Sequence, residues 1–323
     1  MAAAAVSWEG GQIRCDGLPA PGGWIHGAEG ELSLQCESLD EAGTAWVIRF
    51  SKWTAGRHLK GSAEEELYAE AYEGNFVFLF VGDERAVLFD TGPVPWPCFK
   101  DAVERCVGGA ARCATLDLVV AHTHAHGDHV QGDVTWAGGN AGAFRSVVVV
   151  GHSPADVAQF FALPRWFDGE SEDSPAAVFS LGGVRAPLSL FWIRGHEETH
   201  VAIYDPATNA LVTGDVLYPG RLYVRNGPVF AASCQRLDRF VRALDQEVGE
   251  GKAAALRVLG CHIELDADGA EFPTGTPLQV NEAQYELGAA DVFELAAATS
   301  KSDEATTWVR GRRFVFVPVP AGG

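Results

Sequence analysis

Four hydrophobic runs in this 323-residue chain each end in a side chain of the kind that binds metals. They are "LDLVVAHTHAHGDH" (116–129), "FWIRGH" (191–196), "ALVTGD" (210–215) and "VLGCH" (258–262). Strands fix position and the loops beyond them present side chains, so sites form at strand ends. The first run is the densest. Of the ten histidines in the chain, His124, His126 and His129 fall with Asp128 inside six positions. On an extended segment His124 and His126 share a face. Asp128 and His129 follow, with a helix expected to begin at Val130. One face of the turn then offers two imidazoles, and the other a carboxylate and an imidazole. Zinc takes about four nitrogen, oxygen or sulfur ligands. Two ions need more donors than this stretch holds, and His196, Asp215 and His262 are the natural completions.

The other runs outline an α/β chain. "ELSLQCESL" and "TAWVIRF" read as strands, and Trp53 to Glu70 as a polar loop. "FVFLFVGDERAVLFDTG" reads as two buried strands about a tight turn. A helix is expected over Cys98 to Val107, and strands at "LDLVV" and "SVVVV". In "HSPADVAQFF" Ser153 is a helix cap, with Pro154 in the first helical position and Asp156 in the first turn. "LSLFWIRG" is a strand, and "VAIYDPATNALVTGD" a hairpin. Leu237, Phe240, Val241 and Leu244 recur at helical spacing. "LRVLGCH" is a strand, Ala290 to Thr299 a helix, and "RRFVFVPV" a closing strand. Helices outside the sheets give a layered α/β architecture. The chain is read as one domain, 1–323, with 1–72 set apart as an N-terminal extension that either covers a pocket or makes a subunit contact.

Composition narrows the partners. The net charge of −19 repels phosphate backbones, so a small-molecule substrate is expected and nucleic acid is not. No run approaches the roughly 18 apolar residues of a membrane span. The seven cysteines are odd in number and form no CxxC pair, which fits a reducing compartment. The opening "MAAAAVSWEGG" lacks a basic region before its short apolar run. A cytoplasmic protein is expected, and a homo-oligomer stays open.

His124-x-His126-x-Asp128-His129, followed by Gly195-His196, the "TGD" ending at Asp215 and Gly260-Cys261-His262, resembles the metallo-β-lactamase-fold hydrolase superfamily. "LFDTG" (88–92) is similar to that family's motif on the preceding strand. The resemblance covers roughly residues 75 to 265. It implies a four-layer αββα sandwich with its site along one edge. It implies two zinc ions per chain, with iron or manganese as the other metals such ligands accept. His124, His126 and His196 would hold the first ion; Asp128, His129 and His262 the second. Asp215 would bridge them, and Asp90 would orient the histidine loop. A bridging carboxylate resembles the glyoxalase II and lactonase branch, since β-lactamases of this fold generally carry another residue type there. The activity implied is hydrolysis of an ester, thioester or lactone, with Asp128 orienting the nucleophile. Competing readings are a single-iron sulfur dioxygenase-like oxidoreductase of the same fold, or a β-lactamase or phosphodiesterase activity.

Other candidates carry two readings each. Tyr218, three residues after Asp215, resembles the tyrosine that faces the substrate carbonyl in homoserine-lactone lactonases; many relatives with other substrates also carry an aromatic there. Arg221 and Arg225, with Tyr223 between them, are either a clamp for a substrate carboxylate or arginines paired with local acids. The 260–286 block is either a lid or a connection, and Trp166 either pocket wall or packing. His122, His152 and His200 are expected to be structural, and Cys261 a small buried residue.

Overall fold

Alternation along one strand sets the layering. In β5, the strand Phe76–Val81, every residue is buried, yet odd and even positions enter different cores. Phe76, Phe78 and Phe80 join Leu188, Leu190, Trp192, Val201 and Ile203 in one cluster. Val77, Leu79 and Val81 join Phe99, Ala102 and Val103 in another. Successive side chains of a strand point to opposite faces, so a strand apolar on both faces must be covered on both. In this computed structural model the described residues are 6–9, 12–14, 34–50, 74–93, 99–138, 141–164, 176–247, 251–276, 279, 281–300 and 310–319.

The strands are β1 (Val6–Glu9), β2 (Gln12–Arg14), β3 (Leu34–Ser38), β4 (Ala45–Phe50), β5, β6 (Arg85–Phe89), β7 (Asp117–Ala121), β8 (Ser146–Val149), β9 (Ala177–Phe179), β10 (Leu188–Trp192), β11 (Val201–Asp205), β12 (Ala210–Gly214), β13 (Gly220–Val224), β14 (Arg257–Gly260) and β15 (Phe314–Pro318). The helices are α1 (Phe99–Val107), α2 (Ala110–Cys113), α3 (Gly127–Val130), α4 (Pro154–Phe161), α5 (Gly227–Glu247) and α6 (Ala289–Thr299). An eight-stranded sheet has the order β2-β1-β3-β4-β5-β6-β7-β8, and a five-stranded sheet the order β14-β12-β11-β10-β9. The two sheets face each other across the first cluster. α1 covers the outer face of the large sheet. On the small sheet, Ala202, Tyr204 and Leu211 pack outward with Leu237, Val241, Val292 and Leu295 of α5 and α6. Helix, sheet, sheet and helix make a four-layer αββα sandwich.

Several elements differ from the sequence reading. Residues 34–50, set apart with 1–72, build β3 and β4 inside the large sheet, β4 pairing antiparallel with β5. The short helix after the histidines begins at Gly127, not Val130, because His126 is its extended N-cap; a 3-10 turn then carries on from Gln131 to Thr135. β13 and β15 form a separate parallel pair, which the alternation in "GRLYV" did not announce. α4 matches its local signals: Ser153 Oγ accepts from Asp156 N at 3.1 Å, and Asp156 Oδ2 accepts from Ser153 N at 3.3 Å. Trp166, His26, His58 and the 53–70 loop lie outside the described residues. Among the described residues no helix is long and apolar enough to cross a membrane.

Candidate metal centre

Strand direction brings the donors together. β6 and β7 are parallel neighbours. β10 and β12 run the same way because each is antiparallel to β11, and β14 is parallel to β12. Asp90 therefore follows β6, the histidine loop β7, His196 β10, Asp215 β12 and His262 β14. Backbone bonds tie the two sheets at this edge: Val201 N donates to Thr123 O and Phe76 N to Cys261 O, each at 2.9 Å. Gly214, at the register shift between β12 and β14, has φ 51°; a Cβ there would lie 2.3 Å from His200 Nε2. Only glycine leaves the room that Asp215 needs to turn into the site.

The donors form two groups, His124/His126/His196 and Asp128/His129/Asp215/His262, each with its ligand atoms within 4.8 Å of one another. His126 Nδ1 lies 2.9 Å from His124 Nε2 and 3.0 Å from His196 Nε2. Asp128 Oδ2 lies 3.1 Å from His129 Nε2 and 3.3 Å from His262 Nε2. Asp215 Oδ2 reaches into both groups: it is 3.3 Å from His262 Nε2, 3.6 Å from His129 Nε2, 3.6 Å from His196 Nε2 and 3.8 Å from His124 Nε2. All seven sequence-derived donors are thus in one place.

Burial holds the His124 imidazole well below its ordinary pKa, with His129 and His200 pushing the same way. Burial, then His196, lowers His126 to about 4. Burial also lowers His196, against the pull of Asp215. All three shifts favour the neutral ring, the form in which an imidazole binds a metal. In the second group burial opposes charge on His129 and His262, but carboxylates outweigh it, Asp128 then Asp90 and Asp215 around His129 and Asp215 then Asp128 around His262, and raise both rings well above the usual value. Burial likewise opposes charge on Asp128 and Asp215, and the imidazoles win, holding both acids well below the usual range. The second group calls for positive charge, which protons or a cation can supply.

Metal ions fit this donor set better than protons do. His196 Nδ1 donates to Tyr223 O at 2.7 Å, so its Nε2 presents a lone pair to His126. One proton on His126 Nδ1 cannot serve both His124 Nε2 and His196 Nε2. The buried atoms His126 Nε2, His129 Nε2 and Asp215 Oδ1 have no hydrogen-bond partner; the 3.1 Å approach of His129 Nε2 to Asp128 lacks hydrogen-bond geometry. Orphaned buried polar atoms are costly unless an ion or water satisfies them.

The surrounding groups orient these donors. Asp90, fully buried, accepts from Thr123 N at 2.7 Å, Thr123 Oγ1 at 2.8 Å and His129 Nδ1 at 3.0 Å, and Cys261 Sγ approaches it at 3.5 Å. Asn75 Nδ2 donates to Asp128 Oδ2 at 2.8 Å. His200 stacks on His124 with centroids 4.5 Å apart, and its Nε2 accepts from Asp215 N at 3.3 Å. Sequence reasoning missed Asn75, which no spacing rule ties to Asp128, and Glu264. The position of Glu264, two residues past His262 on an extended stretch, is the signal that could have found it.

A cavity of about 510 Å³ opens on the donors and is lined further by Tyr223, Arg225, residues 273–276 and residues 317–319. The 260–286 block is thus part of the cavity wall. Tyr218 and Arg221 also line it, but their polar atoms are engaged. The Tyr218 hydroxyl donates to Arg221 O and lies 3.1 Å from Glu264 Oε2. That commits its proton, so the structure does not offer Tyr218 as a free oxyanion donor. The Arg221 guanidinium pairs with Glu271 at 3.0 Å and Glu264 at 3.3 Å and donates to Phe272 O. Of its two readings, pairing with local acids is the one observed.

No protein-family model matches the chain, and a comparison with curated proteins finds no match. Among solved structures it is similar to a metallo-β-lactamase from Pontibacter korlensis, at 15% identity and a TM-score of 0.46 over 83% of this chain and 100% of that one. It is also similar to a metallo-β-lactamase from Erythrobacter litoralis, at 15% identity and a TM-score of 0.46 over 85% of this chain and 99% of that one. Likeness at this level carries no argument about substrate or site. The chain's own two sheets, outer helices and strand-end donors make the αββα sandwich that the motif resemblance implied.

Proposed function

We propose that this chain is a binuclear metal-dependent hydrolase of a small-molecule acyl bond, an ester, thioester or lactone. The observation that carries the reading is Asp215 Oδ2, which lies 3.3–3.8 Å from nitrogens of both donor groups. One carboxylate is then shared by two sites. His124, His126 and His196 would hold one ion, Asp128, His129 and His262 the other, with Asp215 between them. When bound, two such ions lower the pKa of water toward neutrality and polarise a carbonyl. Zinc suits this mixture of imidazole and carboxylate, and iron or manganese also accept it.

The chain's own residues supply the rest. Asp128, anchored by Asn75, orients the attacking water and helps move its proton toward the leaving group. The water oxygen adds to the acyl carbon, the carbon–oxygen or carbon–sulfur bond breaks, and the proton leaves with the alkoxide or thiolate. Asp90 and the Tyr223 carbonyl keep His129 and His196 in the tautomers that face the site. Tyr223 and Arg225, which line the cavity, are the substrate-facing groups of this reading.

The test is elemental analysis of protein purified without chelators, followed by a panel of esters, thioesters and lactones. About two zinc ions per chain, turnover on the panel, and loss of that turnover in His196→Ala are expected. One iron per chain with oxygen-dependent sulfur chemistry, or unchanged turnover in His196→Ala, would overturn the reading.

A further inference from the structure

A second cluster of ligand side chains lies on the same loop, outside the centre described above. β7 and β8 are parallel neighbours in register, Val120 facing Val149. The residues that leave their ends, His122 and His152, therefore emerge side by side, with ring centroids 4.7 Å apart and planes at 86°. Asp133, in the 3-10 turn after α3, reaches both. Its Oδ1 is 2.9 Å from His122 Nε2, and its Oδ2 is 2.8 Å from His152 Nε2. Thr91 Oγ1 donates to the same carboxylate at 2.9 Å and fixes its orientation.

We propose that His122, Asp133 and His152 form a further binding site for a divalent first-row metal ion, zinc by default. The three ligand atoms lie within 4.8 Å of one another. Two imidazoles and a carboxylate form a donor set suited to zinc, nickel or copper, and bonds of about 2.0–2.2 Å to nitrogen and oxygen close it after small side-chain rotations. Three protein ligands with His152 at the surface leave the remaining position to water. Hydrogen-bonded support of a ligating carboxylate, here from Thr91, is what such sites use. The ion would pin the start of the histidine loop, the 3-10 turn and the loop after β8 to one another. Because Thr91 Oγ1 also lies 3.2 Å from His129 O, this clamp adjoins the strand-end donors without sharing any of them.

The experiment counts zinc. Tag-free full-length protein, His152→Ala and Asp133→Asn are stripped, brought to equilibrium by dialysis against one zinc buffer, and analysed for zinc per chain. His152 is 42% exposed, so its truncation spares the fold, which circular dichroism checks. The expected result is one zinc more in the unaltered chain than in either variant, whatever number the strand-end centre holds. Equal zinc in all three would overturn the proposal. The comparison is a difference between chains, so it stands or falls independently of the hydrolase reading.

Discussion

Asp90 Oδ2 lies 3.0 Å from His129 Nδ1, and Asp90 holds this position from a left-handed backbone, φ 73°. The carboxylate can only accept, so the ring carries a proton on Nδ1, and Nε2, which faces Asp128 and Asp215, is the atom left to take a metal ion. Asn tolerates the same backbone and has the same shape. Its amide nitrogen, however, would donate to Nδ1 and move the ring proton to Nε2, into the site. Asp90→Asn is expected to weaken zinc binding about 10- to 100-fold. Competition with a chromophoric chelator measures this, and unchanged affinity would remove Asp90 from its orienting role.

Gly195 precedes a donor and has φ 114°; a Cβ on it would lie 2.3 Å from Phe230 N. Its carbonyl accepts from Arg225 N at 3.0 Å and Asn226 N at 2.9 Å, which ties the end of β13 and the start of α5 to the His196 loop. Gly195→Ala combines backbone strain with a clash against main chain that cannot rotate away. A loss of about 1–3 kcal/mol or more is expected in urea denaturation, together with lower zinc content, because His196 must shift when Phe230 does.

The donors were legible because each is set by local sequence: an apolar run, its end, and a side chain that binds metals. The layering was legible for the same reason, from runs such as "FVFLFV". What stayed hidden depends on contacts between distant parts of the chain. Nothing near Arg221 announces that its partners are Glu264 and Glu271, and the pairing of β13 with β15 joins segments some ninety residues apart. Sequence alone assigns His122 and His152 structural roles and nothing in it links them to Asp133; only the parallel register of β7 and β8 sets the three together.

Burial raises the Glu37 carboxyl from 4.5 to about 7, with Arg257 opposing the shift and Glu286 adding to it. Between those values the folded chain holds more protons than the unfolded one, so this group makes stability fall as pH rises from about 4.5 to about 7. Glu37→Gln removes the ionisation. The variant should match the unaltered chain at pH 4 and exceed it at pH 8 by about 1–2 kcal/mol, a figure reduced for the carboxyl's partial exposure. Urea denaturation at the two pH values checks it, and a variant no more stable at pH 8 than at pH 4, relative to the unaltered chain, would contradict it.

Arg49 and Glu282 are 233 residues apart and form a bidentate pair, with Nη2 2.7 Å from Oε1, Nη1 2.8 Å from Oε2, and both side chains 1% exposed. Arg49 also lies over Phe76, 4.9 Å from the ring centroid. Phe76 stacks on Tyr285 at 4.0 Å, and the Tyr285 hydroxyl donates to Gly260 O at 2.9 Å. The chain of contacts runs from β4, through the segment that carries Glu282 and Tyr285, to the last residue of β14, two residues before His262. Truncating one partner strands a buried charge, and Arg49→Met should cost about 3–5 kcal/mol. Replacing both partners removes the uncompensated charge, so Arg49→Met with Glu282→Leu should regain most of that loss. A double-mutant cycle in urea gives the coupling directly. If the double variant is as unstable as the sum of the two single ones, the pair acts only through packing, and the electrostatic account of this latch fails.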